Sequence, residues 1–191
     1  MTITKVLVPS GVLGLGFDIE ALKHGIKNKP DIISIDGGST DSGPASLGSG
    51  TSKYSRAAIK SEWKTLMQAR KEANVPLIIG TCGTCGTNSM VDWMEEITIE
   101  LAEELGQSLK IAKLYCEQNI DFLKNKLKIN RIFPLEPAPT LNVHLLDDLS
   151  HVVALAGAEQ VIEAINTGAD IILAGRTTDT AIISALPLMN G

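Results

Sequence analysis

Two stretches of this chain share one layout, a hydrophobic strand that opens at an Asp and runs directly into a glycine and hydroxyl loop ending in Thr-Asp. They are Asp31-Ile-Ile-Ser-Ile-Asp-Gly-Gly-Ser-Thr-Asp-Ser42 and Asp170-Ile-Ile-Leu-Ala-Gly-Arg-Thr-Thr-Asp-Thr180, and one gap aligns them. Short, continuous runs of Ile and Leu suit strands covered on both faces. Parallel strands gather their carboxyl ends along one edge of a sheet, and ligands of open α/β folds sit at that edge. Both loops are therefore expected to face one site.

Further runs rich in Ile, Val and Leu predict strands at residues 4–8, 31–35, 76–80, 109–114, 151–156 and 170–174. Between them lie helical patterns. In 55–73 the residues Ile59, Trp63, Leu66, Met67 and Arg70 recur at one-face spacing, and in 88–105 Met94, Ile97, Leu101 and Leu105 do the same. Shorter helices are expected at 18–27, 117–127 and 158–167, and a last one from near Asp179 to Pro187. Alternating strands and helices specify an α/β fold, a three-layer sandwich with a mainly parallel sheet. Residues 1–191 read as a single α/β domain with a proline-rich connector near 134–140, where Pro134, Pro137 and Pro139 forbid regular structure. The final helix has no closing element after it, so the chain reads as the N-terminal part of a longer protein.

The balance of residues narrows the function classes. In 191 residues, 44% hydrophobic and 20% charged, with 17 Gly, there is enough apolar material for one globular core. A net charge of -5 and the lack of a Lys/Arg stripe exclude a nucleic-acid partner. No run approaches the roughly 18 apolar residues of a membrane span, and residues 1–8 read as a first strand rather than a leader. Cys82, Cys85 and Cys116 do not form a secreted disulfide framework, which places the chain in a reducing cytoplasm.

The loop after the first repeat strand carries the richest chemistry. Gly37 and Gly38 free the backbone to approach a ligand, and Ser39, Thr40 and Ser42 supply hydroxyls. Asp36 and Asp41 suit a general base, a group that holds a substrate hydroxyl, or a magnesium ligand. An Asx-type turn with a helix cap accounts for the same residues. In the second copy Arg176, Thr177 and Thr178 surround a ligand position, with the Arg176 fork suited to a carboxylate or phosphate and Asp179 standing where Asp41 stands in the first. A local Arg176 to Asp179 pair at a helix cap is the plainer alternative. Asp36, Asp41 and Asp179 are the candidate catalytic carboxylates.

Two more segments are candidate substrate contacts. The stretch 48–56 reads either as a lid carrying Lys53, Tyr54 and Arg56 or as a solvated linker capped by Ser55. In 80–88, Thr81, Gly83, Thr84, Gly86 and Thr87 lie between a strand and a helix, where backbone amides collect negative charge. Cys82 and Cys85 within it read first as small buried residues, because no paired Cys or His ligands accompany them. Gly11 to Gly16 is a weaker ligand loop without the G-x-G-x-x-G order. His151 ranks below the loop aspartates, and His24 reads as surface.

Taken in order, Asp31 to Pro44, Gly50-Thr-Ser-Lys-Tyr-Ser-Arg56, Pro76-Leu-Ile-Ile-Gly80 with its glycine loop, Tyr115-Cys-Glu-Gln118 and Ala174-Gly-Arg-Thr-Thr-Asp-Thr180 resemble the acyclic terpene utilisation protein A family. The resemblance runs through the whole chain and is to the N-terminal portion of longer members. It implies a catabolic setting with acyl-coenzyme A or small carboxylate intermediates. Cys82 and Cys85 depart from the small or hydroxyl residues the resemblance implies in that loop. The expectation is a catabolic enzyme, or its N-terminal part, with lyase, hydratase or isomerase chemistry on an acyl-CoA or carboxylate metabolite. The alternatives are a magnesium-dependent nucleotide enzyme with a phosphate loop and a metabolite-binding subunit without turnover. No cofactor is identified beyond a coenzyme A thioester as candidate substrate and magnesium as candidate ion. The expected partners are a small-molecule substrate and a further chain segment or subunit, a second copy of this chain included.

Overall fold

The computed structural model describes residues 3–39, 43–138 and 140–191. Thr40, Asp41, Ser42 and Pro139 lie outside the described residues, as do Met1 and Thr2. Five strands form the sheet: β1 (Val6–Leu7), β2 (Ile32–Asp36), β3 (Leu77–Gly80), β4 (Ile111–Leu114) and β5 (Ile171–Ala174). All pairings are parallel, in the order β1-β2-β3-β5-β4. Eight helices occur among the described residues: α1 (Ile19–Lys27), α2 (Ala45–Ser49), α3 (Arg56–Ala73), α4 (Asn88–Leu105), α5 (Ile120–Lys128), α6 (Val143–Asp147), α7 (Ala158–Asn166) and α8 (Ala181–Asn190). None of them is long and apolar enough to cross a membrane.

Strand periodicity assigns each strand residue to one of two cores. Ile33, Ile35, Leu77, Ile79, Ile171 and Leu173 pack with Trp63, Leu66, Met67, Met94 and Leu101 of α3 and α4. The alternate residues Ile32, Ile78 and Ile172 pack with Val161, Ala164, Ile182 and Ala185 of α7 and α8. The sheet is thus the middle of three layers. Trp63 is fully buried and donates its indole N–H to the Thr98 hydroxyl at 2.9 Å, so the α3/α4 contact carries a directional bond inside its apolar packing. Ser34 has the parity of Ile32, and its hydroxyl donates to the Ile182 carbonyl at 2.8 Å, tying α8 to the sheet. Outside, Arg56, Lys60 and Lys64 of α3 form a ladder of ion pairs with Glu100 and Glu104 of α4.

The two Asp residues that open the repeats do the same job at the opposite, N-terminal edge. Asp31 accepts the Lys5 N–H at 2.7 Å, and Asp170 accepts the Lys110 N–H at 2.8 Å. Each returns its own N–H to the carbonyl of the same Lys, at 2.8 Å in both cases. A short polar side chain there fastens the start of one strand to the residues before its neighbour. Asp170 also pairs with the half-buried Arg70 at the end of α3.

Several expected boundaries shift. The expected strand at 151–156 does not form. Its residues make one isolated antiparallel bridge, Glu117 to Val153, and one parallel bridge, Ala156 to Thr177. The segment crosses the C-terminal ends of β4 and β5 rather than joining the sheet, with Ala156 buried and Leu155 exposed. The fifth helix starts at Ile120, not 117, because Asn119 caps it by accepting the Phe122 N–H at 2.9 Å. α2 and α6 went unanticipated, each only a single short turn or so of helix, too brief to show a period. Pro187 lies inside α8 instead of ending it. The helix is exposed at Ile183, Leu188 and Met189, so a carbonyl freed by the proline has access to water.

Replacing Asp170 with Ala removes both the strand fastening and the Arg70 pair. The expected result is a loss of about 2 kcal/mol in urea unfolding with an unchanged slope. A loss under about 0.5 kcal/mol would show that the carboxylate contributes nothing to holding β5.

Candidate functional site

The C-terminal edge collects the loops after β2, β3, β4 and β5 together with the strap 50–54. The loop after β2 passes hard against the loop after β3: Gly37 donates its N–H to the Gly80 carbonyl at 2.7 Å, and a Cβ at Gly37 would lie 2.4 Å from the Thr81 carbonyl oxygen. Only glycine permits that crossing. Asp36, just before it, has the parity of Ile32 and Ser34 and leaves the strand on the α8 side, where Asp179 precedes the helix.

A cleft of about 320 Å³ opens at this point, lined by Gly11, Val12, Asp36, Ser39, Lys53, Tyr54 and Asp179. Asp36 is 8% exposed and its Oδ1 has no hydrogen-bond partner among the described residues, while Oδ2 accepts the Gly38 N–H at 3.1 Å. Loss of water around the carboxyl, and then the charge of Asp179, push its pKa up from 3.8 to about 7; the Gly38 amide and the Thr81 hydroxyl offset only part of this. At neutral pH such a group holds a proton about half the time. Lys53 contributes the cation, and its backbone N–H donates to the Thr84 hydroxyl at 3.2 Å, which fixes the strap on the β3 loop. Its ammonium lies 5.9 Å from the centre of the Tyr54 ring. A similar hollow of about 360 Å³ beside β1, lined by Lys5 to Leu7, Gly25, Asn28 and Pro30, opposes no titratable groups to one another.

The remaining sequence candidates divide by position. Ser39 lines the cleft, and Gly37 and Gly38 before it are buried. Thr40, Asp41 and Ser42 lie outside the described residues. Arg56 is turned away, paired at 2.8 Å with Glu100 on the helix ladder. The segment Thr81 to Thr87 is buried throughout. The amides of Thr81, Cys82, Thr84, Cys85 and Gly86 donate to carbonyls of Gly175, Ala174, Gly37 (shared with Thr81), Gly83 and Cys82, so they knit the loops together instead of opening to a ligand. Thr177 is buried, with its N–H on the Thr81 hydroxyl at 3.5 Å, and Thr178 caps α8 through the Ala181 N–H at 3.1 Å. Arg176 follows β5 on the same edge, its carbonyl accepting the Ala156 N–H at 2.9 Å. Burial pushes the thiols of Cys82 and Cys116 up, and all three cysteines are free and buried. The glycine loop 11–16 is closed from within: the Glu62 carboxylate accepts the N–H of Gly14 at 2.7 Å and that of Gly16 at 2.8 Å.

Matched against family models, residues 36–189 fit the acyclic terpene utilisation family protein AtuA. The chain belongs to that family. The match spans the cleft carboxylates and both repeat loops, and its setting is acyclic terpene utilisation. No match was found among curated proteins or among solved structures.

Sequence reasoning passed over Glu117 and underrated His151. His151 Nδ1 lies 2.6 Å from Glu117 Oε1, although the two are 34 residues apart. No local pattern links them; the signals were that Glu117 lies in Tyr115-Cys-Glu-Gln118 after one strand-like run and that His151 opens another.

The raised pKa of Asp36 has a thermodynamic signature. From about pH 4 to about pH 7 the folded protein keeps a proton that the unfolded chain has released, so stability falls as pH rises through that window, by as much as about 4 kcal/mol from this group. Replacing Asp36 with Asn removes this contribution. The variant is expected to be the more stable protein near pH 8 and to lose most of that advantage near pH 5, as read by urea unfolding at both. Equal pH dependence in the two proteins would show that the carboxyl titrates normally.

Proposed function

We propose that this AtuA-family protein is a catabolic enzyme, or carries the site of one, that moves a proton next to the carbonyl of an acyl-CoA or small carboxylate metabolite. Lyase, hydratase and isomerase reactions share that step. The observation that carries the reading is the buried Oδ1 of Asp36, without a partner among the described residues, in a cleft that also holds Lys53 and Asp179. A carboxyl poised near pH 7 is matched to general acid and base work at neutral pH. Asp36 takes the proton at Oδ1 when ionised and returns it when protonated. Lys53 receives the carbonyl or carboxylate oxygen as negative charge gathers there. Tyr54 adds an aromatic wall, and Asp179 keeps Asp36 from ionising permanently at lower pH. A cleft of about 320 Å³ suits the reacting end of such a metabolite, with a coenzyme A moiety lying outside it.

The test is deuterium uptake next to the carbonyl when acyl-CoA thioesters and free carboxylates are incubated with the protein in D2O. Wild type is expected to exchange, Asp36→Asn to slow exchange by 10²-fold or more, and Lys53→Ala to weaken binding more than turnover. Stabilisation by ATP with magnesium, and no exchange with any thioester or carboxylate, would replace this reading with a phosphate-loop enzyme.

A further inference from the structure

Outside the Asp36 cleft, a further cluster of titratable groups occupies the same sheet edge. Glu117, after β4, is held in place by both carboxylate oxygens and by its backbone. Oε2 accepts the Asn88 N–H at 3.0 Å at the first turn of α4, Oε1 meets His151 Nδ1 at 2.6 Å, and the Glu117 N–H donates to Asn88 Oδ1 at 3.2 Å. The crossing segment is fastened around it, with Gln118 N–H on the Val152 carbonyl at 2.7 Å and Ala154 N–H on that of Cys116 at 2.8 Å. An imidazole held through Nδ1 by a fixed carboxylate keeps Nε2 as its remaining basic position, the arrangement in which a base is oriented by a third group.

What Nε2 meets is the strap. A Cβ built on Gly50 would lie 2.5 Å from it, so residue 50 reaches the ring only because it is glycine, and its φ of +64° keeps the strap in that turn. Nε2 makes no hydrogen bond among the described residues, and the His151 side chain is 24% exposed. Gly50 and Lys53 are joined by chain that spans at most about 11 Å between their Cα atoms, so the strap that touches the imidazole is the one that carries Lys53 into the Asp36 cleft.

We propose that Glu117 and His151 are a second proton-transfer pair of this site, with His151 Nε2 as the atom that meets the ligand's hydroxyl or an attacking water and Glu117 as its positioning residue. The inference rests on the Asp36 reading and adds to it the other half of an addition or elimination: Asp36 handles the proton next to the carbonyl, and His151 the proton of the hydroxyl that leaves or adds. Nε2 accepts the O–H proton as the oxygen bonds to carbon, the imidazolium is held by the Glu117 carboxylate, and the proton passes to solvent or back to the departing oxygen. No electron is gained or lost overall. The chemical class of ligand is a β-hydroxy or α,β-unsaturated acyl thioester or carboxylate.

The experiment is imidazole 15N NMR of the whole chain with crotonyl-CoA and 3-hydroxybutyryl-CoA as probes, beside the D2O exchange assay. In the free protein His151 is expected as the Nδ1–H tautomer, with Glu117→Gln shifting it toward Nε2–H. Thioester binding is expected to move the Nε2 resonance. His151→Gln should keep exchange next to the carbonyl while reducing interconversion of the two thioesters by 10²-fold or more, and Gly50→Ala should block the Nε2 response with the tautomer unchanged. Probe-induced shifts at Lys53 and Tyr54 with none at His151, or unchanged interconversion in His151→Gln, would leave the pair as a structural pin and the Asp36 reading intact. Silence at both places would overturn the two together.

Discussion

Hydrogen bonding between β2, β3 and β5 runs in one direction, and that constraint organises everything above it. Parallel strands cannot be joined by tight turns, so each connection must travel back through a helix and each loop must emerge at the same edge. In this chain β3 sits between the two repeat strands, with Ile33 to Asp36 paired to Leu77 to Gly80 on one side and Leu77 to Ile79 paired to Ile171 to Leu173 on the other. The chain leaves β3 through α4 on one face and β5 through α8 on the other, and the crevice where these paths part is where an open sheet leaves room for a ligand.

The repeated motif is one structural device with two ends of different character. Its opening Asp, residues 31 and 170, spends its carboxylate on the neighbouring backbone at the base of the sheet. Beyond the strands the copies diverge, and the carboxyls they deliver to the cleft, Asp36 from the first and Asp179 from the second, occupy different positions of the motif. The duplication therefore supplies two equivalent fastenings below and two inequivalent carboxyls above, one enclosed and one exposed. Inequivalence of that kind is what separates the proton affinities of two like groups.

Much of this was legible from residues alone because it depends on local period. Ile32 to Ile35, Leu77 to Ile79 and Ile171 to Leu173 are apolar on both faces and sit beside long amphipathic helices, which leaves few alternatives to a covered parallel sheet. What was not legible depends on which loop lies on which. The amides after Gly80 read as an anion cradle, yet most of them bond carbonyls of loops distant in sequence. The apolar run 151–156 lies across strand ends, an arrangement that no strand pattern distinguishes from pairing. Glu117 and His151 meet only through that crossing.

Glu62 illustrates how a loop's identity is set by what already occupies it. The glycine loop 11–16 offers amides of the kind that bind an external anion, and α3 supplies the anion from within the molecule. A tethered carboxylate competes at an effective concentration on the order of millimolar or more. Any free phosphate or carboxylate would have to displace it and strand its charge, so the loop is a saturated receptor that serves as one rigid wall of the cleft and leaves ligand selection to the residues facing it.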